Sequence, residues 1–150
     1  MKRIAAVLFA ATTLLPFTLH AQNQVAGAVN PNDPAVKAAI DEAGQAAKGW
    51  LALLDATNFD ACWNALAPAV KDQASQADFN ASLAAVREQY GAAKVRHASK
   101  VTFTHKLPGA PDGDYVVLQY ETDFAKAHAV ETVVPMRTAD GWKVSGYFVR

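Results

Sequence analysis

The sequence runs to 150 residues, 51% of them hydrophobic and 19% charged, with 14 basic side chains, 14 acidic ones and one cysteine. Balanced charge without a basic run excludes a nucleic-acid-binding surface, and a lone cysteine excludes an internal disulfide. The length suits one domain that buries its own core.

Residues 1–21, MKRIAAVLFAATTLLPFTLHA, set Lys2 and Arg3 ahead of an apolar stretch from Ile4 to Leu15, followed by Pro16 and the small Ala21. This is the layout of a secretory signal peptide. Cleavage is expected after Ala21, with export to a bacterial periplasm. The apolar stretch falls short of the roughly 20 residues a spanning helix needs, and no later run exceeds it, so no membrane anchor is expected after cleavage. Losing Lys2 and Arg3 leaves 12 basic against 14 acidic side chains, a net charge near −2. Residues 22–33, rich in Asn, Gly and Pro, read as a flexible lead-in, and 34–150 as a single domain.

From Pro34 the pattern is helical: Val36, Ile40, Ala43, Ala47, Trp50, Leu51 and Leu54 recur at three- and four-residue steps, with Asp33 placed to cap the helix ahead of Pro34. Gly44 and Gly49 lower its intrinsic stability, which predicts close packing against another element. Asp55 is expected to end this helix and cap the next. A second helix starts near Asn58, carrying Phe59, Cys62, Trp63, Leu66 and Val70 on one side, and Pro68 should break it. Cys62 reads as a small buried apolar residue. Ser75 and Asp78 form a capping-box pattern before a third helix with Phe79, Leu83, Val86 and Tyr90, ending near Gly91.

After Val95 the period becomes two. Val101, Phe103 and Leu107 mark one strand, Val116, Leu118, Tyr120 and Phe124 a second, Val130, Thr132, Val134 and Met136 a third, and Trp142, Val144 and Phe148 a fourth. Breaks at PGAPDGD, AKA and ADG join them as hairpins. The fold class is therefore α+β, with N-terminal helices packed on a curved four-stranded antiparallel sheet.

Several short motifs in order resemble an uncharacterised bacterial family catalogued as domain of unknown function 4019: Trp50-Leu51, Asp55 to Phe59 with Cys62-Trp63, Tyr90-Gly91, Arg96, PGAPDGDYVV from Pro108, Glu131-Thr132 and DGWKVSGYF. The resemblance spans roughly Val36 to Arg150 and implies exported single-domain proteins of unknown activity, with no catalytic residue to carry over. Against the family pattern, Thr57, Phe59 and Cys62 stand where Gly, Tyr and Ser are expected, and Phe79 where Trp is expected. The architecture is also similar to cystatin-like and nuclear-transport-factor-two-like folds, scaffolds that host enzymes, carriers and interaction modules alike.

Chemistry is then sought in the strand register. Keeping apolar faces together sets Phe103 opposite Leu118, Val101 opposite Tyr120, Ser99 opposite Thr122 and His97 opposite Phe124. The next hairpin sets Thr122 opposite Val130 and Tyr120 opposite Thr132, with His128 near Phe124, and the last sets Thr132 opposite Phe148 and Val130 opposite Arg150. One end of the helix-facing side then gathers His97, Ser99, Thr122, Phe124, His128, Phe148 and Arg150, either as a solvated rim or as the mouth of a pocket for a small polar or anionic ligand. No catalytic residue is assigned. Glu121 and Glu131 would face each other on the outer side in a solvated charge ladder with Lys100. No metal or other cofactor is expected: His97 and His105 lie about 26 Å apart at ~3.3 Å per residue, and no close-spaced ligand pair occurs. These observations favour a non-catalytic periplasmic binding or protein-interaction module. The alternative is a small hydrolase, isomerase or lyase using His97 or His128 as base. An edge strand starting near Val95 could instead recruit a protein partner or a second copy.

Overall fold

The computed structural model describes residues 29–150, so the export signal expected over 1–21 and most of the lead-in lie outside the described residues. Four helices precede the sheet: α1 (Pro34–Asp55), α2 (Phe59–Asn64), α3 (Pro68–Lys71) and α4 (Gln76–Tyr90). Asp33 caps α1 by accepting the Ala35 N–H at 2.8 Å, and Pro34 occupies the first turn, where its missing donor costs nothing. The α1 stripe is buried at Ala39, Ala43, Ala47, Trp50, Leu51 and Leu54. Gly44 and Gly49 are not close-packed, since an added Cβ would meet nothing within 4 Å at either position.

α1 ends through Thr57, the one non-glycine residue at positive φ (55°) among the described residues. A β-branched side chain there costs about 1–2 kcal/mol of backbone strain. The cap of α2 is Asn58, which accepts the Ala61 N–H at 3.1 Å, so Asp55 is free for other partners. The expected break at Pro68 splits the second helix in two. Between the pieces, Leu66 bridges to Val144 and the Ala67 N–H reaches the Val144 carbonyl at 2.9 Å. α4 starts on the Ser75–Asp78 capping box and ends at Gly91, whose φ of 78° only glycine adopts at low cost.

The sheet is an open antiparallel meander in the order β1 (Ala93–Thr104), β2 (Tyr115–Phe124), β3 (His128–Thr138), β4 (Gly141–Val149), and the fold is α+β. Val116, Leu118, Val133, Trp142 and Val144 meet the α1 stripe in one core with Cys62, Leu66 and Leu83. Each fully buried side chain of this size adds on the order of 1.5–3 kcal/mol.

The register differs from the sequence reading in four places. β1 sits two residues earlier on β2 than expected, with Phe103 opposite Val116 and not Leu118. In β1 a bulge at Ser99 separates Val101 opposite Leu118 from Ala98 opposite Tyr120. The extra residue inverts the strand, so Arg96, and not His97, shares a side with Thr122. The β2–β3 hairpin closes one residue tighter than expected, setting Tyr120 opposite Glu131 and Thr122 opposite Ala129. That slip turns all of β3 over: Val133 enters the core in place of Val134, and Glu131 turns towards the helices. The tight turn is held by α4 and the link after it, through the Ala125 N–H to the Ala92 carbonyl (2.8 Å) and the Lys126 N–H to the Tyr90 carbonyl (3.0 Å). Thr132 does lie opposite Phe148, and Arg150 exchanges backbone hydrogen bonds with Val130. A further irregularity at Ser145 then places Tyr147 inside while Phe148 is 51% exposed, so the last strand contributes Trp142, Val144 and Tyr147 to the packed face.

Candidate functional site

The inverted β3 brings a carboxylate into the protein interior, where it needs partners. Glu131 has 0% exposure. Its Oε2 accepts from Arg96 Nε and from Thr122 Oγ1 (3.1 Å), and its Oε1 from Tyr147 OH (2.7 Å) and Arg96 Nη2 (3.2 Å). The bulge at Ser99 supplies Arg96, the irregularity at Ser145 supplies Tyr147, and Thr122 comes from the inner side of β2. On its other edge Arg96 grips Asp55 at the end of α1, with Nη1 to Oδ2 at 2.5 Å and Nη2 to Oδ1 at 2.8 Å. Arg87 of α4 closes the set on Asp55 Oδ1 at 2.8 Å. Two arginines thus balance two carboxylates across α1, α4, β1 and β3.

Burial and partners together set the protonation of Asp55, Arg96 and Tyr147. Burial alone would raise the Asp55 carboxyl, but the hydrogen bond and charge of Arg96, and then Arg87, outweigh it and hold that carboxyl below its usual range. Burial opposes the Arg96 charge, yet Asp55 and Glu131 push its guanidinium further towards permanent protonation. Burial and then the Glu131 charge push the Tyr147 phenol well above its ordinary value, so it stays a donor. Cys62, in the core nearby, is pushed up to about 11 by burial and stays a thiol at neutral pH.

Asp55 and Arg96 also form the floor of an open cleft of about 440 Å3 beside α1, together with Gly44, Lys48, Leu51, Ala52 and Tyr120. Arg96 spends four of its five N–H groups on Glu131 and Asp55. Lys48 is exposed and makes no ion pair among the described residues, and Tyr120, which burial keeps protonated, has no hydrogen-bond partner for its hydroxyl among them. The cleft therefore presents unspent donors over a charge-balanced floor.

The seven residues read from the sequence as one polar mouth do not converge. Thr122 is fully buried in the Glu131 network, and Phe124 is buried with its ring 5.4 Å from that of Tyr90. His97, Ser99, His128, Phe148 and Arg150 are exposed. Ser99 is the bulged residue and its hydroxyl donates to the Gln119 carbonyl at 3.2 Å. His128 sits between Asp123 (2.7 Å) and Glu121 (3.0 Å), and both contacts raise its pKa. Glu121 and Glu131, expected face to face on the outer side, lie on opposite sides of the sheet, with Glu121 opposite Val130. Among the described residues no three His, Cys, Asp or Glu side chains are placed to hold a metal ion, and no helix is long and apolar enough to cross a membrane.

The model of the family described as "Protein of unknown function (DUF4019)" matches residues 46–147. The chain belongs to that family. No curated protein and no solved structure matches it. The DUF4019 segment opens midway along α1 and closes on Tyr147, so it encloses Asp55, Arg87, Arg96, Thr122, Glu131 and Tyr147. Four of these, Asp55, Arg96, Glu131 and Tyr147, fall within the motifs that carried the DUF4019 resemblance. Their association was hidden because AVETVVP in β3 is apolar on both parities, so alternation could not say which side Glu131 takes.

Proposed function

We propose that this DUF4019 protein is an exported, non-catalytic binding module that holds a small anionic ligand in the cleft between α1 and the β1–β2 end of the sheet. One observation carries the reading: Lys48 and Tyr120 bring donors without partners among the described residues to a cleft where the one carboxylate those residues supply, Asp55, is already neutralised by Arg96 and Arg87. A carboxylate or similar anion entering there would meet an ammonium, a phenol and the remaining Arg96 N–H, with Leu51 and Ala52 against its apolar part. Export rests on the charged, apolar and small-residue layout of residues 1–21. Neither His97 nor His128 lines the cleft, so the reading as a hydrolase, isomerase or lyase lacks its histidine base at this place.

Native mass spectrometry of the mature protein, purified gently from a periplasmic extract, tests this. An extra mass that disappears on denaturation, and that is lost in the Lys48→Ala, Tyr120→Phe double variant, is the expected result. A ligand retained by the double variant would overturn the assignment to this cleft. A bare protein mass together with no heat of binding from a panel of small carboxylates would overturn the function itself.

A further inference from the structure

A second cavity, of about 260 Å3, lies on the other flank of α1, between α4 and β4. Its apolar walls include Leu66, Val70, Phe79, Leu83, Val86 and Val144. Four lining residues also carry polar side-chain atoms, and each of those atoms already has a protein partner. Trp50 Nε1 donates to the Cys62 carbonyl at 3.1 Å, Ser82 Oγ to the Asp78 carbonyl at 2.8 Å, Ser145 Oγ to the Val134 carbonyl at 2.8 Å, and Tyr147 OH to Glu131 at 2.7 Å. The side chains therefore offer the cavity only carbon-rich surface, and water gains little by staying there. Phe148, among the most exposed large apolar side chains of the described chain, lies at the rim with its ring across the backbone of Gly146, where an added Cβ would come within 3.1 Å of it. A hydrocarbon rim around a hydrocarbon cavity marks a binding site.

We infer that this cavity binds the alkyl chain of a small amphiphile, tail inward, with the head at the solvent side near Phe148. A dry cavity of about 150 Å3 takes the six carbons of benzene, and at that ratio 260 Å3 takes about ten. The chain is selected by shape and apolarity alone, so the head group contributes little and chain length contributes most. Burial of each methylene is worth ~0.8 kcal/mol, so each carbon removed weakens binding about fourfold.

The test is titration calorimetry of the mature protein with decan-1-ol, decanoate and hexan-1-ol below their aggregation limits. The two ten-carbon compounds should bind within about threefold of each other, with hexan-1-ol, four methylenes shorter, more than about a hundredfold weaker. Val86→Trp, which fills the cavity from α4, should abolish binding while circular dichroism stays unchanged, and Ser82→Phe serves in its place if that variant misfolds. Lys48→Ala should leave decan-1-ol binding intact, which separates this site from the polar cleft. Binding of decanoate without decan-1-ol would overturn the inference, and so would wild-type affinity in both filled variants. Absence of any ten-carbon binding would overturn it as well.

Discussion

The β2–β3 hairpin carries an ionic cluster on each of its two sides, built from similar groups with opposite consequences. On the inner side Glu131 is sealed from solvent and tied to Arg96, Thr122 and Tyr147, with Asp55 and Arg87 behind. On the outer side His128 bridges Asp123 and Glu121 in full view of water. The distances are alike, yet only the inner cluster carries a large desolvation cost that its partners must keep offset. Close contact is thus a poor guide to energetic weight, and solvent access decides it.

The sharpest way to break this comparison is Arg96→Ala. It leaves Glu131 buried without its cation, and the expected loss is about 3–5 kcal/mol by urea unfolding, enough to threaten the fold. If the variant proves as stable as its parent, Glu131 is not the anchor described here. Tyr147→Phe removes one donor to the same carboxylate and preserves the ring, so a loss of about 1.5–3 kcal/mol is expected.

Asp55 stands between the two extremes, with its side chain 36% exposed. Its carboxyl is held below the ordinary value of 3.8 in the fold, so it stabilises the protein above that pH and ceases to do so as pH falls through the folded value. Asp55→Asn should therefore cost about 1 kcal/mol or less at neutral pH after allowing for screening. The gap from the parent should close in acid, and urea midpoints measured from pH 7 to pH 3 would show it.

The smallest effect belongs to His128→Ala. Its pKa is raised in the fold, so whatever it contributes is present below the ordinary value of 6.5 and disappears as pH rises through the folded value. Being exposed, the contribution should vanish in about 1 M salt. A melting-temperature difference that survives such salt would erase the contrast between the two sides.

Much of the fold was legible because local chemistry set it. Asp33 before Pro34, Ser75 with Asp78, the Pro68 break and the Asp140-Gly141 turn each act within a few residues, and each is found in place. The meander order followed from short links between alternating runs. What stayed hidden was parity. The AKA link admits either a two- or a three-residue turn, and the choice is made by α4, whose Tyr90 carbonyl and neighbouring Ala92 carbonyl take the N–H groups of Lys126 and Ala125. Gly91 permits this approach, since a Cβ there would come within 2.9 Å of that of Ala125. In β1, Val95, Val101 and Phe103 share odd numbering, and nothing in VRHASKVTF announces an extra residue among them. Thr122 alone of the expected residues was both buried and part of the network.

Ser99 can be viewed as a reading-frame marker written into a strand. Deleting it would leave every other side chain of the protein unchanged in kind, yet would exchange the outlooks of Arg96 and His97, stranding Glu131 with an imidazole where a guanidinium belongs. A lineage that lost this one codon would keep its hydrophobic pattern and lose its interior charge balance. A single-residue gap between Arg96 and Val101 is accordingly a length change that β1 cannot absorb without losing that balance.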